Sequence, residues 1–314
     1  MKIKVLTINI LILLSVFFNT CSEDKQPDRS ALVALMEQYL DALAKHDPSL
    51  VPLASDVKLV ENTKVTPIGE GLWETTTSGP NTHKIFVADP VEEQVAFMGV
   101  IEKNNKPVVL GARLKVIDGK ITEIDHLTAE PLVMNMTQAR AGLITPIDPS
   151  ERVSREEMVR IANSYYEAIV NDNGELCPFA DESQRRENGK ITANHQAQTP
   201  AEAEIDDFSV FRQMKCSDQL STGVMSYITD INRRRFIAVD EEMGLVFVYS
   251  MFVHNGEPKI MKITGVPGVT ERANNYGPFD LPAAHVFKIR SGKIYEIEAM
   301  GYIAEHGIKN GWEM

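Results

Sequence analysis

Basic residues are in short supply in this chain, with 32 Lys and Arg against 44 Asp and Glu and a formal net charge of -12 over 314 residues. Without a cationic surplus there is little to neutralise a phosphate backbone or an anionic bilayer, so no nucleic-acid partner is expected. Cysteine is scarcer still, at three residues, and the spacing of Cys177 and Cys216 matches no structural zinc site, so no metal is expected. No stretch beyond residue 18 approaches the length that crosses a bilayer as a helix. A phosphate-binding Gly-rich loop, a dinucleotide fingerprint, an HExxH pair and a nucleophile elbow are all missing. No cofactor is expected either; chemistry, if the chain performs any, is acid–base work by its own side chains.

The N-terminus carries a stronger signal. Met1-Lys2-Ile3-Lys4 and the apolar run Val5 to Phe18 have the make-up of a secretory leader, too short to span a membrane comfortably. Cys21 then resembles the acylated cysteine of a bacterial lipoprotein, with Thr20 standing where Gly, Ala or Ser is usual. Residues 1–21 are read as a leader and 22–29 as a tether. The chain is expected to be exported, either lipid-anchored at the cell envelope through Cys21 or released to the periplasm or outside. With Cys21 acylated, Cys177 and Cys216 remain as an even pair, either a disulfide or two small buried thiols.

The chain repeats itself. At an offset of 126 residues Tyr39 falls on Tyr165, Ala42 on Ala168, Pro52 on Pro178 and Glu61-Asn62 on Glu187-Asn188; Tyr39 to Thr66 holds nine identities in 28 positions. At an offset of 173, Gly119-Lys120-Ile121 meets Gly292-Lys293-Ile294 and Glu123-Ile124-Asp125 meets Glu296-Ile297-Glu298. Two matching blocks in one order mean a duplication, with 173 minus 126, or 47, extra residues in the second copy. Domains are therefore set at 30–148 and 149–314. The two are expected to pack on each other.

Each copy opens with an amphipathic helix, apolar at three-and-four spacing from Leu32 to Leu43 and from Met158 to Ile169. Strand-like runs follow: Lys84 to Ala88, Gln94 to Ile101, Val108 to Ile117 and Lys120 to Leu127, then Gly223 to Tyr227, Arg235 to Val239, Leu245 to Val253, His285 to Arg290 and Lys293 to Met300. Asp118-Gly119 and Ser291-Gly292 suit tight hairpins. Helix first and antiparallel strands after it is an α+β order. With the Glu-Asn elements, Gly69-Glu70-Gly71-Leu72-Trp73 and the closing hairpins, it resembles the superfamily of nuclear transport factor two, ketosteroid isomerase and the SnoaL-like polyketide cyclases. The resemblance implies two tandem cone-shaped α+β barrel units, each a helix held in a curved antiparallel sheet around a blind cavity. It leaves function open, because the fold hosts isomerases, dehydratases, cyclases and plain binders.

Polar residues that could face such a cavity are the candidate site. Alternation puts His285 with Phe287 and Ile289 on the apolar face of its strand; its counterpart in the first copy is Ala112. Glu187 and Asn188 are either an acid–base group and an amide donor or a turn-shaping pair with Asn left-handed. Arg185 and Arg186, where the first copy has Leu59 and Val60, are either an anion clamp or an exposed ion pair. Tyr165, Glu298, Tyr302 and His254 complete the candidates, His254 as a loop residue. In the first copy only Trp73 and His83 draw notice, and Arg233-Arg234-Arg235 is read as a solvated turn. Two long inserted stretches, Thr192 to Gln219 and Asn255 to Ala283, read as lids or interface arms on the second unit. The expected partner is a small organic ligand. The functions left open are ligand binding, a cofactor-free lyase or isomerase in the second cavity, and an envelope interaction module.

Overall fold

The structure, a computed structural model, describes residues 26–133, 136–196 and 208–313; the leader, Cys21 and the first half of the tether lie outside them. In the first unit, helix α1 (Arg29–Ala44) leads to strands β1 (Leu53–Glu61) and β2 (Lys64–Thr66) and the short helix α2 (Leu72–Thr75). Strands β3 (Thr76–Ser78), β4 (Lys84–Asp89), β5 (Gln94–Lys103), β6 (Lys106–Ile117) and β7 (Lys120–Ala129) complete it. A connection bearing helix α3 (Ala141–Ile144) leads to helix α4 (Arg155–Val170), β8 (Phe179–Glu187), β9 (Lys190–Ala193) and helices α5 (Ser209–Gln213) and α6 (Cys216–Leu220). The second unit then runs through β10 (Asp230–Asp240), β11 (Leu245–His254), β12 (Ile260–Lys262), β13 (Glu271–Ala273), β14 (Phe279–Arg290), β15 (Lys293–Gly301) and β16 (Ala304–Glu305).

The sheets repeat one plan: β2-β1-β7-β6-β5-β3 with β4 also on β5, and β9-β8-β15-β14-β11-β10 with β16 on β14. The chain is α+β, two tandem cone-shaped units in which a helix packs inside a curved sheet. Both long helices start on a side-chain cap, Asp28 accepting from the Ala31 amide and Ser154 from that of Glu157. The hairpins at Asp118-Gly119 and Ser291-Gly292 turn with φ positive at both residues, 51° and 70° in the first and 48° and 74° in the second.

Two readings need correction. β1 and β8 were not foreseen as strands, and each pairs in parallel with the last long strand of its unit, β7 or β15. The run Gly223 to Tyr227 is a turn and no strand. Gly223 has φ 82°, and a side chain there would strike the carbonyl of Lys262 at 2.5 Å.

Strand alternation divides the core into three. Val95, Phe97 and Ile101 face inward onto α1, whose Leu32, Met36, Tyr39 and Leu43 fill the first cone. Val246, Val248 and Phe287 face α4 in the second. The opposite faces of both sheets meet each other: Ile85, Val87, Ala96 and Met98 of the first join Leu245, Phe247, Ala284 and Met300 of the second in one apolar cluster. The layers therefore run helix, sheet, sheet, helix. Strands covered on both faces need no polar side, and so β5 is buried over eight consecutive residues. Gly111 lets the sheets close up, since a Cβ there would lie 3.1 Å from Met300 Sδ and 3.3 Å from Ala284 Cβ.

The seam is pinned by a reciprocal pair of aspartates. Asp89 accepts from the Val239 amide at 2.9 Å and from Arg155 Nη1 at 2.8 Å. Asp240 accepts from the Ala88 amide at 3.3 Å and from Arg29 Nε at 2.8 Å. Arg29 and Arg155 are each the first residue of their unit's helix, 126 positions apart. The arginine triple is no solvated turn either: it lies in β10, with Arg233 on Glu313, Arg234 on Glu167 and Arg235 on Asp125 of the first unit. Replacing Arg155 by Met leaves Asp89, fully buried, without its cation. Guanidinium-chloride unfolding is expected to show a loss of about 3–5 kcal/mol; a loss below about 1 kcal/mol would mean that the pair is not what holds the seam.

Candidate functional site

In each unit the helix, the first long strand and the last long strand bring three positions together inside the cone. In the first, α1 supplies Tyr39, β1 ends on Glu61, and β7 presents His126 in register with Glu61. Tyr39 Oη lies 2.8 Å from His126 Nε2, and His126 Nδ1 lies 3.1 Å from Glu61 Oε2. The same oxygen accepts from the Leu72 amide at 3.0 Å, and Trp73 meets the Tyr39 ring edge-on at 5.4 Å. Burial pushes the Glu61 carboxyl up, but the bond and charge of His126 and the Leu72 amide pull it further down, below its ordinary value. A carboxylate at Nδ1 holds the proton there, so Nε2 accepts from the phenol, which burial keeps well above its ordinary range.

The second unit keeps the ends of this chain and changes its middle. Tyr165 and Glu187 stand where Tyr39 and Glu61 do, while Ala299 replaces His126. Arg185, 1 % exposed, takes over from inside the cone. Its Nε lies 2.9 Å from Glu187 Oε1 and donates to Thr192 Oγ1 at 3.0 Å. Nη2 donates to Gln219 Oε1, and Gln219 is itself fixed by donating to the carbonyls of Thr192 and Phe211, both at 2.7 Å. Nη1 is buried without a hydrogen-bond partner. A guanidinium donates through five N–H groups, so the nitrogen left without a hydrogen bond of good geometry can take a further acceptor, in a cone whose other polar groups near it are the Tyr165 phenol and Glu187.

His285 stands in the place of Ala112, one strand over from where the first unit keeps its imidazole. It stacks on Phe287 at 5.7 Å and Phe252 at 5.6 Å, with Tyr165 at 5.7 Å and Tyr166 at 5.4 Å. Nδ1 has no partner. Burial, with Arg185 nearby, brings its pKa down to about 3. The inserted stretches close over this cone: Phe211 and Leu220 from α5 and α6, and Met261, Ile263 and Val266 around the β12–β13 hairpin, join its core.

Of the other residues singled out from sequence, Tyr165 and Phe287 line this interior, and His254 packs on Phe279 at its end, on the same face of β11 as Val248 and Phe252; Asn188, Arg186, Glu298 and Tyr302 lie elsewhere. Asn188 spends its amide on the backbone of Gly301, donating to the carbonyl at 2.9 Å and accepting from the amide at 3.0 Å. With φ 45° it is the left-handed turn residue of the structural reading. Arg186 and Glu298 are on the opposite face of their sheet, Arg186 on Gln184 at 3.1 Å and Glu298 on Arg140 at 3.1 Å. Tyr302 donates across the seam to the Asn62 carbonyl at 3.1 Å. His254 is no loop residue; it ends β11 fully buried, its Nδ1 2.6 Å from the Tyr227 carbonyl. Cys177 and Cys216 are both free and buried, so the disulfide alternative is not realised. The Cys216 thiol donates to the Ser183 carbonyl at 3.2 Å, and burial pushes the Cys177 thiol up to about 12. His126 was missed altogether. The alternation that singled out His285 also puts His126 on the inner face with Ile124, but its counterpart Ala299 drew no attention to the position.

Residues 25–128 and 151–301 match a family model described as a domain of unknown function, DUF8021. The chain belongs to that family. No curated protein matches it. Among solved structures it is similar to an NTF2-like protein of unknown function from Cytophaga hutchinsonii, at 14% identity over 31% of this chain and 89% of that one, TM-score 0.26. A SnoaL-like polyketide cyclase candidate from Jannaschia is 11% identical over 50% and 90%, TM-score 0.26. A ketosteroid isomerase candidate from Kribbella flavida is 17% identical over 37% and 88%, TM-score 0.26.

The imidazole of His285 gives this member of the family a signature in acid. Its pKa falls from 6.5 to about 3 on folding, so between those values the unfolded chain binds a proton that the folded one refuses. Stability from this group is complete above about 6.5 and drains away as the pH falls toward 3. Denaturant midpoints measured from pH 7 to 4 are expected to fall less steeply in His285→Leu than in the parent; parallel curves would show that His285 is hydrated in the folded state.

Proposed function

We propose that the second unit binds a small organic ligand carrying a carboxylate or another oxyanion, held inside the cone by Arg185. The carrying observation is the unspent Nη1 of a guanidinium buried to 1 % exposure. Leaving such a group unmatched is costly, and an anionic oxygen brought in by a ligand would satisfy it in a charge-assisted bond. Tyr165, Phe252, Phe287 and the neutral ring of His285 offer flat apolar walls, which suit an aromatic or alicyclic body. Entry requires the α5–α6 segment or the β12–β13 hairpin to lift.

Binding is favoured over acid–base catalysis by the state of the candidate bases. An imidazole with a pKa of about 3 is too weak a base to take a proton efficiently near neutrality. A lyase or isomerase in the second cone would draw on Glu187 as its base, and the Arg185 guanidinium 2.9 Å from Glu187 Oε1 favours the charged carboxylate and weakens it as a proton acceptor. An envelope interaction module would present an apolar sheet face on the first unit, and that face is packed against the second. Export, with or without a lipid on Cys21, is proposed on the leader sequence alone.

Thermal-shift assays of the chain lacking residues 1–21, against hydroxybenzoates, sugar acids and sterol-like ketones at millimolar concentration, test this reading. Ligand at 100 times its Kd stabilises by about 2.7 kcal/mol, so a positive shift with an acidic class is expected, absent in Arg185→Met. A shift that survives that substitution would remove Arg185 from binding, and no shift with any acid would sink the proposal.

A further inference from the structure

A second cavity lies on the other side of the second sheet, where the connection around α3 passes over β8, β15 and β14. Its volume is about 530 Å³, well inside the range of sites that hold small molecules. Three cations line it, Arg140, Lys288 and Arg290, with three carboxylates, Glu151, Glu182 and Glu296. The wall charges sum to zero, so a ligand with net charge would bring an unbalanced charge into a partly enclosed space.

Several polar atoms in this wall hold capacity in reserve. Lys288, only 4 % exposed, donates to the carbonyls of Thr145 at 2.7 Å and Met243 at 2.6 Å. An ammonium has three protons, which leaves one over. Arg140 Nε lies 3.2 Å from Glu296 Oε2 but donates its proton to Glu298, so Glu296 Oε2 is buried with no hydrogen bond of its own. Donor and acceptor thus sit on neighbouring strands in direct register, Lys288 opposite Glu296. Beside them Tyr295 is half-buried, with the Arg290 guanidinium 3.9 Å from its ring centre.

We propose that this cavity binds an uncharged polyhydroxylated ligand, a mono- or disaccharide, with its hydroxyls bridging Lys288 and Glu296 and a C–H face on Tyr295. A hydroxyl donates and accepts through one oxygen, which is what paired donor and acceptor walls of zero net charge demand. The neighbouring aromatic ring supplies the apolar contact such a ligand also needs. This site shares no residue with the cone around Arg185.

Saturation-transfer NMR on the chain lacking residues 1–21, with glucose, galactose and maltose, and with glucuronate and glycine as charged controls, decides the matter. A neutral sugar is expected to bind at millimolar concentration, with affinity about tenfold weaker in Tyr295→Ala and in Glu296→Gln. Tyr295 and Glu296 are partly exposed, so both variants should fold, and circular dichroism checks that they do. Absence of signal from all three sugars would overturn the proposal. So would preference for glucuronate or glycine, or binding untouched by both cavity variants.

Discussion

Everything in this molecule hangs on two carboxylates placed where no water reaches them. Asp89 and Asp240 each close a strand at the seam, each take a backbone amide from the opposite unit, and each hold the arginine that opens the opposite unit's helix. A buried carboxylate without its cation is severely destabilising, so neither helix can leave its cone without stranding a charge in the other half. The arrangement is self-complementary in the manner of a two-fold dimer interface, here folded into one chain. Cone and seam are thereby a single mechanical body.

Duplication then left each cone free to settle its interior separately. Tyr and Glu are common to both, and between them stands an imidazole in the first unit and a guanidinium in the second. The difference in middle group decides the character of the space. His126 can satisfy both of its neighbours with two nitrogens and have nothing left, whereas Arg185 leaves its Nη1 without a hydrogen bond among the described residues. The first cone is closed chemistry, and the second has unfinished business. The inserted segments that cover the second cone are found on the same unit, and they fix Gln219, which orients the guanidinium.

Much of the architecture was legible because duplication and alternation are local properties of the text. Nine shared identities and two shared hairpin turns announced the repeat, and helix periodicity gave α1 and α4. The parallel strands were hidden for a physical reason. β8 reads Phe-Ala-Asp-Glu-Ser-Gln-Arg-Arg-Glu, and a strand that turns an arginine into the core carries no apolar alternation. Its partner β15 is also remote in sequence. The arginine triple of β10 looked solvated because its acceptors, Asp125 among them, belong to the other unit or to distant parts of the chain. His285 was found by alternation, but the same rule could not say that its strand neighbours would be aromatic rings on three sides. Arg186 and Glu298 were put in the cone because the sequence does not tell which face of a doubly covered strand is the inner one.

The position of Arg29 has one more implication. It is the first helical residue among those described and also a half of the seam's fastening, and Gln26 just ahead of it donates to the Pro90 carbonyl beside Asp89. Tension applied at this end of the described chain would load the Gln26 contact and then the ion pair with Asp240. Strain there would bear on the junction of the two units and leave the interior of either cone as it is.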